Sequence, residues 1–372
     1  MVHRPVWAEV SLGAIAANVA ALRAEVAPAE VLAVVKADGY GHGALEVSRT
    51  ALTAGASALG VALVEEGVQL RAAGIDAPVL VLSEPVAEAA DAVVQYGLTP
   101  VVYTPQGIES LAKAVAVSDA HPLGVHLKVD TGMHRVGCRA EDAVELAVQV
   151  TSHPELDLAG TCTHFAVADE PDDPYSAEQL ARFTEVIDAL RAAGIDPGRV
   201  HACNTAGALI LPGARYDFVR AGIGIYGVAP APALAGVVAL QPALAVKARV
   251  TFVKTVAPGT RISYGLRYET DRETRIATVP IGYADGVPRV LGHAGGSALV
   301  RGVRCPMAGT VTMDQLMLDV GEVPVEPGDE VVLLGRQGDE LITADEWAAL
   351  AGTIPYEIVC GIGPRVPRTY TL

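Results

Sequence analysis

Short apolar runs rich in valine, leucine and alanine recur through the first 235 residues, at 31–35, 58–63, 78–83, 99–104, 124–130, 158–164, 199–204 and 216–222. Runs of this length bounded by turn residues read as buried strands. Between them lie longer stretches with helical spacing of apolar positions, at 44–54, 65–73, 86–96, 104–117, 141–151 and 177–193. Alternation of this kind predicts a parallel sheet. Eight strand units within about 230 residues predict a closed (β/α)8 TIM barrel, with an open doubly wound sheet as the alternative. Upstream, 7–10 reads as a short strand, and Ser11 can cap the helix that follows it.

After residue 235 the pattern changes. Pro230, Pro232 and Pro242 mark a linker, and beyond it short β-type runs are separated by turn residues. Only 343–352 looks helical. A run of strands after an α/β unit predicts a separate domain, giving a barrel over 1–235 and a β-rich domain over 236–372.

Composition narrows the function classes. The 372 residues are 51% hydrophobic, yet no stretch approaches the ~20 uninterrupted apolar residues of a membrane span. The opening MVHRPVWAEVS lacks the charged lead and apolar core of a signal peptide. The expectation is a cytoplasmic protein. A net charge of −16 argues against nucleic acid and anionic membranes as partners. Five scattered cysteines without CxxC spacing predict reduced thiols. No HExxH pattern occurs, so no catalytic metal is expected.

A barrel carries its chemistry at the C-terminal ends of its strands. Those ends are polar here. The first delivers Lys36, and the fifth Lys128 and Asp130 followed by Arg135. The sixth delivers His164, the seventh Asn204 and Thr205, and the eighth Arg220 followed by GIGIYG. Polar groups at five of eight strand ends point to a site. Taken alone, Lys36 reads either as a lysine reaching to solvent or as a desolvated, nucleophilic amine. The glycines after Arg220 read either as a tight turn or as backbone donors for phosphate. A lysine facing a phosphate loop suits pyridoxal phosphate, which joins an aldehyde to a phosphate.

The motifs AVVKADGYGHG, LKVDTGMHRVG, THFA, RAGIGIYG, SYG, GYADG, MDQLMLDV and IPYE occur in that order over residues 33–357. This set resembles the alanine racemase family, pyridoxal-phosphate enzymes built from a (β/α)8 barrel and a β-domain. The resemblance implies a homodimer whose active sites join one subunit's barrel to the other's β-domain. It implies interconversion of L- and D-alanine by two bases acting on a pyridoxal 5'-phosphate aldimine, with D-alanine supplied to peptidoglycan. It assigns Lys36 as the cofactor lysine and one base, and Tyr264 of SYG, from the partner subunit, as the other. Tyr40, Thr205, Gly222, Ile223 and Tyr356 are implied at the phosphate, and Asn204 among the cofactor contacts. Arg220 is implied to face the pyridine nitrogen, with His164 linked to it. Arg135 is implied at the cofactor's phenolic oxygen or the substrate carboxylate, with Tyr283 and Met313 of the partner also near that carboxylate. The lysine matching Lys128 is carbamylated in many members; an uncharged or salt-bridged Lys128 is the alternative. Asp314 is implied as a positioning residue. Arg267, Thr312 and Val167 depart from the commonest pattern without removing a catalytic group. A serine or broad-specificity racemase, a non-catalytic pyridoxal-phosphate carrier and a barrel decarboxylase are the competing readings.

Overall fold

The computed structural model describes residues 4–118 and 122–372. They form two compact units. One comprises Ile15–Gly39 and Ala44–Gln241; the other comprises the described residues up to Ala14, Tyr40–Gly43 and Pro242–Leu372. Strand β1 (Val6–Ser11) belongs to the second unit.

The first unit contains the expected barrel. Its strands are β2 (Glu30–Val34), β3 (Ala58–Val61), β4 (Val79–Val81), β5 (Thr99–Val102), β6 (Leu123–Asp130), β7 (Leu156–Cys162), β8 (Arg199–His201) and β9 (Phe218–Ala221). They pair in parallel in the order β9–β2–β3–β4–β5–β6–β7–β8. Closure between β8 and β9 rests on single bonds: Asp217 N–H donates to Val200 O at 3.1 Å, and Arg220 N–H to Cys203 O at 2.9 Å. The sheet is therefore nearly closed. Strands such as β3 and β4 are buried along their whole length, because helices cover one face and the barrel interior the other. That is why the sequence shows continuous apolar runs here rather than alternation. Between Val125 and His126 the pairing of β6 with β7 shifts register.

The second unit adds β10 (Leu244–Arg249), β11 (Phe252–Val256), β12 (Thr274–Val279), β13 (Ser297–Val300), β14 (Val303–Pro306), β15 (Leu316–Asp319), β16 (Glu330–Gln337) and β17 (Arg368–Thr371). One sheet runs β14–β13–β16–β10–β1–β17, and another β11–β12–β15. The division differs from the expected 1–235 and 236–372. In β1, Val6, Ala8 and Val10 are buried while Trp7, Glu9 and Ser11 are half-buried. That one-sided pattern suits a sheet with one wet face, and β1 lies antiparallel to β10, with Lys247 on Glu9 at 3.0 Å. A second correction concerns IPYE. Pro355–Gly361 is a helix, missed because seven residues opened by proline carry too few turns to show a period. Among the described residues no helix is long and apolar enough to cross a membrane.

Asp285 anchors the GYADG turn of this unit. It is fully buried, accepts a forked pair from Arg4 at 2.8 Å, and takes the Gly282 amide at 3.0 Å and Arg365 at 3.2 Å. Removing one partner of a buried ion pair costs about 3–5 kcal/mol. Both arginines here reach solvent, so Asp285→Ala should fall at the low end, about 3 kcal/mol in urea unfolding. A loss within experimental error would show that the cluster does not hold the turn.

Candidate active site

β2 ends at Val34, and Val35 continues it with its amide on Gly60 O at 2.8 Å. Lys36 follows, half-buried at the barrel mouth. Ala37, Asp38, Gly39 and Tyr40 then have φ of 52°, 51°, 61° and 50°. Left-handed backbone costs a non-glycine residue roughly 1–2 kcal/mol, so such a run persists only when its surroundings hold it. Glu66 supplies much of that hold. Its carboxylate takes the Ala37 amide at 2.6 Å, and those of Ala62 and Leu63 at 2.8 and 3.1 Å. Asp38 takes the Ala44 amide at 2.9 Å, and Tyr226 OH donates to Val34 O at 2.9 Å. The peptide carrying Lys36 is thus fixed from both sides. Sequence reasoning missed Glu66, since a glutamate in the first turn of a helix is ordinary.

Arg220 is the most enclosed charge of this unit. Its guanidinium donates to His201 Nδ1 at 2.7 Å, His164 Nδ1 at 3.0 Å, and the carbonyls of Thr163, Ala202 and His201 at 2.8, 2.8 and 3.2 Å. Every acceptor is neutral. Burial pulls its pKa down, but a guanidinium stays charged in proteins. Because Arg220 only donates, Nδ1 of both histidines must be an acceptor, and each neutral ring carries its proton on Nε2. For His201 that proton points to His126 Nδ1, 2.8 Å away. Burial, and then the Arg220 charge, holds His164 and His201 well below the usual histidine range. Burial, with Arg199 and Arg220, brings His126 down to about 4.

These histidines give the fold a pH dependence. Their folded pKa lies below the free value of 6.5, so between the two values the unfolded chain binds the extra proton. Their contribution is complete above about pH 6.5 and is lost progressively as pH falls below it, for His126 down to about 4. Each costs about 1.4 kcal/mol per pH unit in that window. Urea unfolding should therefore show about 2 kcal/mol less stability at about pH 5 than at about pH 7 for His126 alone. His201 adds a loss in the same direction. Equal stability at the two pH values would mean that the native rings take up a proton as readily as those of the unfolded chain.

Lys128, on β6, is buried and donates to Leu82 O at 3.3 Å. Burial lowers its pKa, and the charges of Arg220, Arg135 and Lys36 lower it further. Lys36, Lys128, Arg135 and Arg220 all act on His164 in the same sense. The carboxylate on this strand, Asp130, is committed to the amides of Gly132 and His134 at 2.9 and 3.1 Å. Lys128, Asp130, Met133, Arg135, Thr163 and His164 line one small cleft. Arg135 is exposed and makes no ion pair among the described residues. Asn204 caps a helix, accepting the Gly207 amide at 2.8 Å. Thr205 Oγ1 accepts the Gly222 amide at 3.0 Å, and Ile223 opens the short turn after it.

The remaining residues singled out by sequence lie in the second unit. The rings of Tyr40 and Tyr356 are 6.3 Å apart. Burial, with Tyr356 and Cys360 nearby, pushes the Tyr40 phenol up. Tyr264 is 74% exposed, in a turn where Ser263, Gly265 and Leu266 have positive φ. Thr310 Oγ1 donates to Tyr264 O at 2.7 Å. Tyr283 and Ala284 donate their amides to Thr312 O and Met313 O at 3.0 and 3.1 Å, so Tyr283 and Met313 form one paired surface. Asp314 pairs with Arg365 at 2.6 Å, which ties it to Asp285. Arg267 is exposed.

His201 and His126 went unremarked in the sequence. The signal was present, because a strand has a period of two. His126 shares a face with Lys128, and Phe218 with Arg220.

Comparison with known proteins places these two units. The family described as Alanine racemase, N-terminal domain matches residues 10–230, and Alanine racemase, C-terminal domain matches residues 243–370. An alanine racemase of Symbiobacterium thermophilum is 48% identical, covering 99% of this chain and 97% of its own. One from a Nostoc species is 44% identical, covering 97% and 95%. The crystal structure of alanine racemase from Streptomyces lavendulae superposes with a TM-score of 0.94 at 38% identity, over 100% of this chain and 98% of that one. A histidine racemase from Leuconostoc mesenteroides superposes with a TM-score of 0.91 at 30% identity, over 100% and 99%. Two matched domains and full-length relatives agree: the chain belongs to the alanine racemase family.

Proposed function

We propose that the protein interconverts L- and D-alanine using pyridoxal 5'-phosphate held at the barrel mouth. The observation that carries this reading is the charge of the mouth. Lys36, Lys128, Arg135 and Arg220 act on the same half-buried histidine, His164, while Asp130 is tied to its own loop. Such a site calls for an anionic ligand. The residues present fit this cofactor: an amine for its aldehyde, Thr205 and the Gly222–Ile223 backbone for its phosphate, and Arg220 for its ring nitrogen. When bound, the cofactor supplies a conjugated system that delocalises the electron pair left as Cα of the amino acid loses its proton.

The chain's own residues supply the rest. Arg220 donates to neutral acceptors and retains its proton, so it offers the ring nitrogen a hydrogen bond rather than a proton. That limits how much electron density the ring draws from Cα. Lys36 takes or returns the Cα proton on one face. A second base must stand on the opposite face, and the partner subunit's Tyr264 is the group we assign. Tyr264, Leu266 and Met313 are 74%, 47% and 52% exposed, large apolar side chains suited to covering by a second copy. The partner's Tyr283 and Met313, paired through their turns, would meet the substrate carboxylate with Arg135. Tyr40 and Tyr356 are assigned to the phosphate, and Asn204 caps the helix that Thr205 opens. Lys128, beside Arg135 in the cleft, is the group whose carbamylation would convert a repelling cation into an anion. By this reading the enzyme is a cytoplasmic homodimer feeding D-alanine to peptidoglycan.

The histidine racemase neighbour shows that one scaffold serves more than one side chain. Polarimetry over a panel of amino acids tests the assignment, with the absorption spectrum of the purified protein as a cofactor readout. Alanine should be racemised fastest. Serine turned over equally fast would defeat the narrow claim, and a protein without visible absorption after incubation with the cofactor would defeat the broad one.

A further inference from the structure

The geometry points to His126 as a positioning residue: it sets the tautomer of His201 and through it aims the guanidinium of Arg220. The contacts form a chain through the barrel interior. Arg220 donates to His201 Nδ1 at 2.7 Å, and His201 Nε2 lies 2.8 Å from His126 Nδ1. An imidazole offers one donor and one acceptor when neutral. His201 meets its two neighbours correctly only with the proton on Nε2. That arrangement needs an acceptor beyond Nε2, and His126 Nδ1 is that acceptor. Without it, the Nε2 proton would be buried without a partner, since His201 has no solvent exposure. The Nδ1–H tautomer then becomes competitive, and it points a hydrogen at Arg220.

The backbone around His126 is built for this contact. The register of β6 against β7 shifts between Val125 and His126. On β7, Gly160 faces the ring, where a Cβ would stand 2.6 Å from His126 Cε1 and 2.7 Å from its Nδ1. Any other residue at 160 would displace the ring. On the other side, Phe218 stacks on His201 with centroids 4.2 Å apart, and Arg199 lies over Phe218 at 4.7 Å, held by Glu30 at 2.8 Å. An irregular strand, a missing side chain and a stacked aromatic fix two imidazoles that would reach no substrate. The charged groups acting on the pair are Arg199, Arg220 and Lys128: the two arginines oppose a proton on His126, and all three oppose one on His201. The neutral acceptor form is therefore the resident one.

The catalytic consequence rests on the racemase reading, but the tautomer does not. The test is accordingly double. Nitrogen-15 NMR of histidine-labelled protein without added cofactor should report His201 protonated at Nε2 and bare at Nδ1. In His126→Phe the two signals should move toward the values of a tautomer mixture. In His126→Asn, whose Oδ1 accepts in place of Nδ1, they should return. In the cofactor-loaded enzyme, His126→Phe should lower kcat on the order of tenfold, the scale of losing an outer hydrogen-bond partner. KM should be unchanged, and His126→Asn should recover most of the rate. An unaltered His201 spectrum in His126→Phe overturns the proposal, as does an equal kcat loss in both variants. Loss of all racemisation in the unmodified protein, with the tautomer shift intact, would strike the functional reading alone. Should His126→Phe fail to fold, the Asn variant still decides, since its His201 must keep the Nε2 proton and most of the kcat.

Discussion

Lys36→Ala should abolish racemisation in both directions, by at least about 1,000-fold. A positioned proton-transfer group is worth roughly 10²–10⁴-fold, and this amine is also assigned to hold the cofactor. Both enantiomers should lose turnover equally, because attachment precedes either proton transfer. The variant should fold, since Lys36 is only half-buried. Its charge is one of those that lower the pKa of Lys128 and His164, so both should titrate higher in the variant. The checks are polarimetry from each enantiomer, and borohydride reduction followed by peptide mapping of the unmodified protein. Label on a lysine other than Lys36, or substantial activity in the alanine variant, would overturn the assignment.

Tyr264→Phe should separate the two faces of the reaction. Racemisation should fall by roughly 10²–10⁴-fold, while exchange of the Cα hydrogen with deuterated solvent persists for one enantiomer, the one whose hydrogen faces Lys36. The hydroxyl is the only group removed and the ring is 74% exposed within its own chain. Surface changes of that kind usually move stability by no more than about 0.5 kcal/mol, so a slow variant cannot be blamed on unfolding. Undiminished interconversion would remove Tyr264 from the mechanism. Loss of exchange for both enantiomers would point to a single base.

The barrel was legible in the sequence because buried parallel strands are apolar on both faces, and all of 31–35 to 216–222 stand out as runs. Lys36 and Arg220 were legible as polar strand ends. What sequence did not show was chosen by distance rather than by pattern. Glu66 reaches the Ala37 amide across a turn, and His126 matters only because Gly160 leaves room for it. β1 reads as the first strand of whatever follows it, since an alternating pattern names a half-buried face and not its partner. The helix Pro355–Gly361 is too short to show a period, although it carries Tyr356.

The pairing of β1 with β10 and β17 also bears on how the chain is made. Val10 lies opposite Leu244 and beside Tyr370, and Gly41 receives the Arg368 guanidinium at 3.0 Å. Contacts so far apart in sequence are slow to form. During synthesis at ≈ 5–20 residues per second, β1 emerges first and waits for nearly the whole chain before β17 exists. Its edge stays unpaired for that interval, and unpaired edges are sites of wrong association. Newly made chains should therefore depend on chaperones for this strand more than for β3 to β8, whose neighbours on both sides emerge within a few dozen residues.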